Sequence, residues 1–444
     1  MTRGKSNRSL LVILAIALTV RLVVLLLGLT TFDNGHAGGL TTPDSQDYIA
    51  LAKSLRENGQ LPANGVSVFR LPGYPAFLAG AFGITVRPLW AILQVAMDVL
   101  LVWVVYRVGW ELMGPRVALV GALLQALSPL AAAASVRVLS DGPYALVFML
   151  AVWGLVRNVR TGRWRWLVLS SAAMAAACLV RPVGLVMAVV AVAFLLARPG
   201  RQLRQAGVYV VLLAVLLSPW VIRNGVRTGY WGLTNNFSVT LLGYSAAMTL
   251  EEATGQSPRQ VQDELISRIE MDREDPDLGD LSAAYREVAV STIAEHPATY
   301  AKLHLWGSLA FWLPGATDVL ETIGLTSGQR GTLRVFHENG LLAAGRHYFG
   351  GSPGAVAVAV PLGLVYIARL VGLGLFVVMA AGRWRKLPAV AWWLIAIVMI
   401  SWLIGGPVST PRFRVPVEPL LSLAGAGGFV WAWRRRARRT RRTA

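Results

Sequence analysis

The chain has 444 residues, 55% of them hydrophobic, with a formal net charge of +19 and one cysteine. That apolar share excludes an ordinary soluble domain and points to a polytopic membrane protein. The lone Cys178 excludes an intrachain disulfide and any cysteine-cluster metal site. The positive charge is no nucleic-acid patch either, because the basic residues sit in short runs between apolar segments.

The first apolar span runs from Leu10 to Leu29 and is interrupted only by Arg21. About 20 residues at 1.5 Å each cross about 30 Å of hydrocarbon. No small-residue cleavage site follows, so the span is expected to be retained. Its basic flank, with Arg3, Lys5 and Arg8, predicts a cytoplasmic N-terminus. Further segments of spanning character lie at 88–106, 117–134, 141–156, 166–180, 183–197, 207–222, 355–379, 389–405 and 415–433. Traced from a cytoplasmic start, the turns at Arg107 to Arg116, Arg157 to Arg165, Arg198 to Arg204 and Arg383 to Lys386 all fall on one side, with the arginines of the tail. The positive-inside rule therefore supports this count, with both termini cytoplasmic in the plasma (inner) membrane.

Four regions follow. Residues 1–224 form a transmembrane module with outer loops 30–87 and 135–140. Residues 225–354 form a long outer segment, 355–433 the last spans, and 434–444 a basic cytoplasmic tail suited to anionic lipids. Fifteen of the 23 acidic residues lie between Glu251 and Glu338, inside the long segment. Amphipathic helices are expected there at Val261 to Glu270 and Leu281 to Ala294. Leu303 to Pro314 is apolar but too short to cross singly, and reads as a re-entrant or interfacial helix. A crossing near 335–349 is the fallback.

The residues able to do chemistry gather at the outer boundary. Asp44 and Asp47 open the first loop, Asp44 ahead of an amphipathic helix over 45–58 and Asp47 in its first turn beside Tyr48. A plain reading makes Asp44 a helix cap and Asp47 a first-turn dipole partner. Arg70 stands before Leu71-Pro72-Gly73-Tyr74, and Arg181 before Pro182-Val183-Gly184; each sets a guanidinium beside a proline-fixed turn, suited to phosphate or merely snorkelling. Arg137 and Asp141 frame the second loop, where Ser140 is a candidate N-cap. Arg223 follows Pro219-Trp220 at the end of the seventh span, whose Trp could equally be an aromatic-belt anchor. Arg412 and Arg414 oppose the charge bias of the outer face, although Arg414 could pair with Glu418 one turn on. Asp98, with Gln94 before it, is a carboxylate within a span and needs a polar partner. The histidines 296, 304, 337 and 347 lack metal-ligand spacing.

In this order, these pieces resemble the GT-C class of membrane glycosyltransferases, nearest the protein mannosyltransferase and lipid A aminoarabinose transferase group. The resemblance rests on Asp44 to Tyr48 with Ala50 to Leu55, Arg70 to Pro75, Leu139 to Asp141, Arg181-Pro182, Pro219 to Asn224 and Arg412 to Pro416. It implies an all-α integral membrane bundle of about 10–13 transmembrane helices, with amphipathic juxtamembrane helices in the first outer loop. It implies a sugar donor on a polyprenyl phosphate, used at the extracytoplasmic face on a glycan, lipid or protein acceptor, with membrane lipids as further partners and no nucleic acid. On Asp44 falls the catalytic base, with Asp141 as the second acidic residue. Arg70, Arg223, Arg412 and Arg414 become candidates for the donor phosphate, with Asp47, Tyr48, Tyr74, Arg137 and Arg181 supporting. Many relatives carry Asp-Glu where this chain has Asp44-Ser45, so the resemblance names no certain cofactor and leaves a divalent cation open.

Two other classes are weighed. A transporter of lipid-linked sugar calls for inverted repeats or mid-membrane charges, whereas no repeat is visible and the polar residues cluster at one face. A surface-polysaccharide polymerase or ligase also has a long outer loop with arginines, but has no need of Asp44.

Overall fold

A computed structural model describes residues 3–32, 39–82, 89–198, 202–270, 276–326, 332–350 and 352–443. Parts of the 30–87 loop and of the basic turn at Arg198 to Arg204 lie outside the described residues. Among the described residues every regular element is helical. Six helices are long and apolar enough to cross a membrane: Ser6–Thr30, Leu89–Met113, Asp141–Thr161, Leu203–Thr228, Pro353–Ala381 and Pro411–Arg438. Pro115–Ala126 and Pro129–Val136 are an apolar pair bent by 56°, with the geometry of a broken span or a re-entrant loop, and Trp164–Val180, Val183–Leu196 and Ala389–Leu403 are shorter apolar helices. The chain is thus a multi-pass, all-α membrane protein, and each apolar segment of the sequence falls on one of these helices.

Helix Asp141–Thr161 runs through the centre. Tyr144, Phe148, Met149, Val152, Leu155 and Val156 bury its faces against Leu89–Met113, Trp164–Val180 and the 3-10 turn Pro411–Val417. The peripheral helices instead expose their apolar side chains, such as Leu11, Val211, Val215 and Leu364. In water that surface would be unfavourable, whereas hydrocarbon accepts it.

Buried charged side chains inside the bundle are held in ion pairs, Arg21 with Asp98 and Arg369 and Arg414 with Glu418, as low dielectric favours. Arg21 donates through Nε to Asp98 Oδ2 at 2.7 Å and also to the carbonyls of Gln125 and Ala126. The arginine that interrupts the first span and the carboxylate in the second are therefore one tie across three helices. Ser128, at the bend between the two broken halves, donates to Glu418 at 3.3 Å.

The long segment builds its own small core. Leu242, Leu250, Val261, Leu265 and Ile269 pack with Ala284 and Ala289, from elements that include Pro258–Glu270 and Leu278–Glu295. Helix Pro297–Ala310 covers the apolar stretch read as re-entrant; it lies against Gly406–Val408, and Trp402 donates to the Ser308 carbonyl at 2.9 Å. Helix Thr332–Phe349 is kinked at Gly340, where φ is 79°.

Candidate functional site

The site forms where one end of the bundle meets the segment between the first two long helices. Helix Pro43–Asn58 starts with Thr42, not Asp44, as its N-cap: the Thr42 side chain and Ser45 complete a reciprocal capping box, and Pro43 occupies the first turn. The plain reading of Asp44 as the cap is thus corrected, and the difference matters. A carboxylate that does not close the helix end is free to face other elements.

Asp44 uses that freedom for two arginines. Arg70 donates to its Oδ1 at 3.0 Å, and Arg412 donates to its Oδ2 at 2.8 Å. Arg70 also donates through Nε to Asp47 Oδ2 at 2.9 Å, and stands over the Tyr48 ring at 5.3 Å. Arg412 donates through Nε to Asp141 Oδ2 at 2.8 Å, and Arg181 lies 2.5 Å from the other oxygen of Asp141. The result is one alternating chain: Asp47, Arg70, Asp44, Arg412, Asp141, Arg181. It joins helix Pro43–Asn58 and Arg70 to the start of helix Asp141–Thr161, the 3-10 turn Pro411–Val417 and the turn after Val180.

Position along this chain decides what each group can do. The Asp44 side chain is 34% exposed and Asp141 is 0% exposed. Asp44 can therefore meet a ligand, whereas Asp141 can only hold Arg412 and Arg181. Burial pulls the Asp44 carboxyl upward, yet Arg412 and Arg70 outweigh it and leave the group below its ordinary range. Arg70 stays firmly charged, because Tyr48 and the two aspartates offset its burial.

The backbone is shaped to hold Arg70 there. Leu71 has φ 62° and ψ 154°, and it is the sole non-glycine with positive φ among the described residues. Such a conformation costs on the order of 1–3 kcal/mol and needs a surrounding structure that enforces it. Full burial of the Leu71 side chain and the following proline provide that. Gly73 then brings helix Gly73–Phe82 against the end of Trp164–Val180, so closely that a Cβ there would stand 2.8 Å from the Leu179 carbonyl oxygen. The same approach sets Arg70 and Arg181 on either side of the aspartates.

Second contacts lock this arrangement. Tyr48 and Ser140 share a hydrogen bond of 3.0 Å between hydroxyls, and Arg181 donates to Ser140 at 3.4 Å. Ser140 occupies the N-cap of the central helix as expected, but its hydroxyl is used across loops and not on its own helix. Tyr74 lies edge-on to Tyr48 at 4.8 Å and donates to Gln94 at 2.6 Å, and Gln94 donates to the Arg137 carbonyl at 2.8 Å. Tyr74 is fully buried and supports the site from beneath.

Three arginines that the sequence grouped with the phosphate or the second loop lie elsewhere. Arg414 is 1% exposed: it donates to Glu418 at 2.6 Å and to the carbonyls of Phe311 and Leu313, beside Tyr366 and the Arg369–Glu418 pair. There it is enclosed by protein partners, because residues two apart in a 3-10 turn face different ways and Arg412 is the one that turns to the Asp44 cluster. Arg223 donates to Leu61, Pro62, Ser67 and Asn224 and makes no ion pair among the described residues. Arg137 turns from Asp141 to two carboxylates of helix Ala316–Thr322, Asp318 at 3.0 Å and Glu321 at 2.5 Å. Those two residues were not singled out from sequence. Burial lifts the Asp318 carboxyl above its ordinary range even with Arg137 beside it.

For a divalent cation the donor set is a poor match. Guanidinium groups separate Asp44 from both Asp47 and Asp141, and no group of three or more His, Cys, Asp or Glu side chains among the described residues could hold a metal. Cationic forks around an exposed carboxylate suit an anion that exchanges with that carboxylate.

Comparison with known proteins agrees with this architecture. The model of the dolichyl-phosphate-mannose-protein mannosyltransferase family matches residues 70–222, roughly a third of the chain. That stretch contains Arg70, Arg137, Asp141 and Arg181 but neither Asp44 nor Arg412. Among solved structures, the oligosaccharyltransferase of Archaeoglobus fulgidus in its apo form is similar at a TM-score of 0.55 and 12% identity, over 98% of this chain and 51% of that one. The archaeal oligosaccharyltransferase AglB from the same organism, in complex with an inhibitory peptide and a dolichol-phosphate, gives 0.53 and 12%, over 97% and 50%. ArnT from Cupriavidus metallidurans in the apo state is looser, at 0.43 and 16% over 94% and 76%. No curated protein sequence matches the chain. The fold is that of the GT-C class of integral membrane proteins, as the resemblance implies. The chain spans about half the length of the oligosaccharyltransferase chains it matches.

Proposed function

We propose that the chain is a membrane glycosyltransferase that moves a sugar from a polyprenyl-phosphate donor to an acceptor hydroxyl at the extracytoplasmic face, with inversion and with Asp44 as general base. The observation that carries this reading is the alternating chain from Asp47 to Arg181, in which the exposed carboxylate sits between two arginines. In the reaction the acceptor oxygen bonds to the anomeric carbon as the bond to the phosphate oxygen breaks. Asp44 takes the acceptor proton, and the polyprenyl phosphate leaves with the electron pair.

Arg70 and Arg412 serve two states. Without donor they neutralise Asp44. When a donor phosphate arrives it takes their forks, because charge-assisted bidentate bonds to phosphate are among the strongest available. Asp44 then loses its counter-charges and gains an anionic neighbour, both of which raise its proton affinity. Donor binding thus turns an arginine-stabilised carboxylate into a working base. Asp141 keeps Arg412 and Arg181 aimed throughout, as a positioning residue.

Sidedness follows from charge. Helix Asp141–Thr161 begins at the site and ends beside Arg157 and Arg160, about 30 Å away at 1.5 Å per residue. The basic end belongs to the cytoplasm and the Asp44 end to the outer face. The test is lipid analysis of a strain lacking the chain. A polyprenyl-phosphate sugar should accumulate, and its disappearance when the wild-type chain is restored, but not Asp44→Asn, supports the reading. An unchanged lipid profile contradicts it.

A further inference from the structure

Arg223 and Arg227 lie one turn apart near the end of helix Gln202–Thr228, on the same side of the bundle as the first loop. Arg223 stacks over the Trp220 indole at 4.8 Å. With Leu55, Gln60 and Leu61, these side chains line a cavity of about 250 Å³. Among the described residues neither arginine meets a carboxylate. Arg223 donates to the Leu61 and Pro62 carbonyls and to Ser67 and Asn224, and Arg227 donates to the Gln60 side chain at 2.8 Å. Like charges one turn apart repel, so an uncompensated pair is a cost unless an anion sits between them. On the same helix, Ile222 and Val226 are exposed apolar side chains.

We propose that this groove binds the phosphate headgroup of an anionic glycerophospholipid, at a place separate from the Asp44–Arg412 cluster. Arg227, whose guanidinium donates only to Gln60, offers a fork to a phosphodiester, and Arg223, whose terminal nitrogens are taken by Leu61, Pro62, Ser67 and Asn224, adds its positive charge beside it. Trp220 is the residue type that settles at headgroup depth. The volume is below the ~300–1,000 Å³ that encloses a drug-sized ligand, so only a headgroup enters and the acyl chains lie along the exposed face of the helix. A polyprenyl-phosphate donor is the other lipid phosphate at hand, but its sugar has to reach Asp44. The Arg223 guanidinium touches none of the ion-paired residues around Asp44. A lipid seated here steadies the Leu61–Pro62 stretch through Arg223, and does not depend on the glycosyltransferase reading.

The test uses the full chain, purified and delipidated in neutral detergent, with lipid binding followed by native mass spectrometry. Phosphatidylglycerol, undecaprenyl phosphate and inorganic phosphate are titrated separately. Each basic side chain near a lipid surface contributes about fivefold to anionic lipid affinity. Arg227→Gln should therefore weaken phosphatidylglycerol about fivefold and Arg223→Gln/Arg227→Gln about thirtyfold, with undecaprenyl phosphate unaffected. Arg227 is exposed and holds only Gln60, so the single variant remains decisive if the double one unfolds. Unchanged phosphatidylglycerol binding overturns the proposal. So does an equal loss of undecaprenyl phosphate, which makes the groove part of a donor site, or inorganic phosphate binding as tightly as the lipid.

Discussion

Arg412 Nη1 donates to Asp44 Oδ2 at 2.8 Å, a bond that joins the 3-10 turn Pro411–Val417 to helix Pro43–Asn58 across 368 positions of sequence. The same guanidinium holds the buried Asp141 through Nε, so one side chain closes the site from three loops. Under the proposed function Arg412 has two tasks: it keeps Asp44 ionised, and it transfers to an incoming phosphate.

The first task predicts a pH effect. Asp44 has its proton affinity lowered in the folded chain, so it stays ionised down to below the ordinary range near 4. Wild-type kcat/KM, which reports the free enzyme, should hold its acid limb below about pH 4. With Arg412→Gln the burial that raises the group remains while its largest opposing charge is gone. The acid limb of the residual activity should then move upward. An unmoved limb would assign it to another group.

Arg412 and Arg414 should part company on substitution. Arg414→Gln removes one member of a fully buried cluster and leaves Glu418 with Arg369, which costs about 3–5 kcal/mol for a broken buried pair. Thermal unfolding in detergent should register it as lost stability. Arg412→Gln should instead lower donor affinity and turnover with a smaller loss of stability, since its surroundings are partly open. Equal unfolding temperatures for the two variants would contradict this division.

How far the sequence alone led can be judged from these two arginines. The motif Thr410 to Pro416 marked both as unexpected on the outer face, but which one turns to the site depends on the geometry of the 3-10 turn, which hydropathy does not encode. Asp44, Arg70, Asp141 and Arg181 were legible because proline, glycine and loop position fix them locally. The partner of Asp98 was not, although Arg21 stood alone in an apolar span: pairing depends on how two helices are rotated about their axes. Asp318 and Glu321 were missed for a further reason. They lie in a segment rich in acidic residues with no distinguishing pattern, and only packing of Ala316–Thr322 against Pro129–Val136 brings them to Arg137.

Gly73 offers a test of the local geometry. A Cβ at this position would meet backbone of Leu179, which cannot yield as a flexible side chain does. Gly73→Ala should cost about 1–3 kcal/mol of stability by overpacking and should lower turnover further by separating Arg70 from Arg181. Gly80→Ala, on the same helix with open space around it, is the matched control and should leave both unchanged.

Sidedness is measurable in intact cells. Ser257 is exposed at the start of helix Pro258–Glu270, and Cys178 is buried. A Ser257→Cys chain in a Cys178→Ser background should react with an impermeant thiol reagent before lysis. Labelling only after lysis would place the long segment, and with it the site, in the cytoplasm.

The most direct measurement compares Asp44→Asn with wild type for both donor binding and sugar transfer, in the purified chain supplied with a polyprenyl-phosphate sugar. Asn keeps the size of the side chain and, with Thr42 as the cap, leaves the helix start intact. Removing a general base lowers the rate by about 10²–10⁴, while Arg70 and Arg412, no longer held by a carboxylate, should bind the donor at least as tightly as before. Transfer at more than about half the wild-type rate, or a loss of donor affinity in step with the loss of rate, would contradict Asp44 as the base.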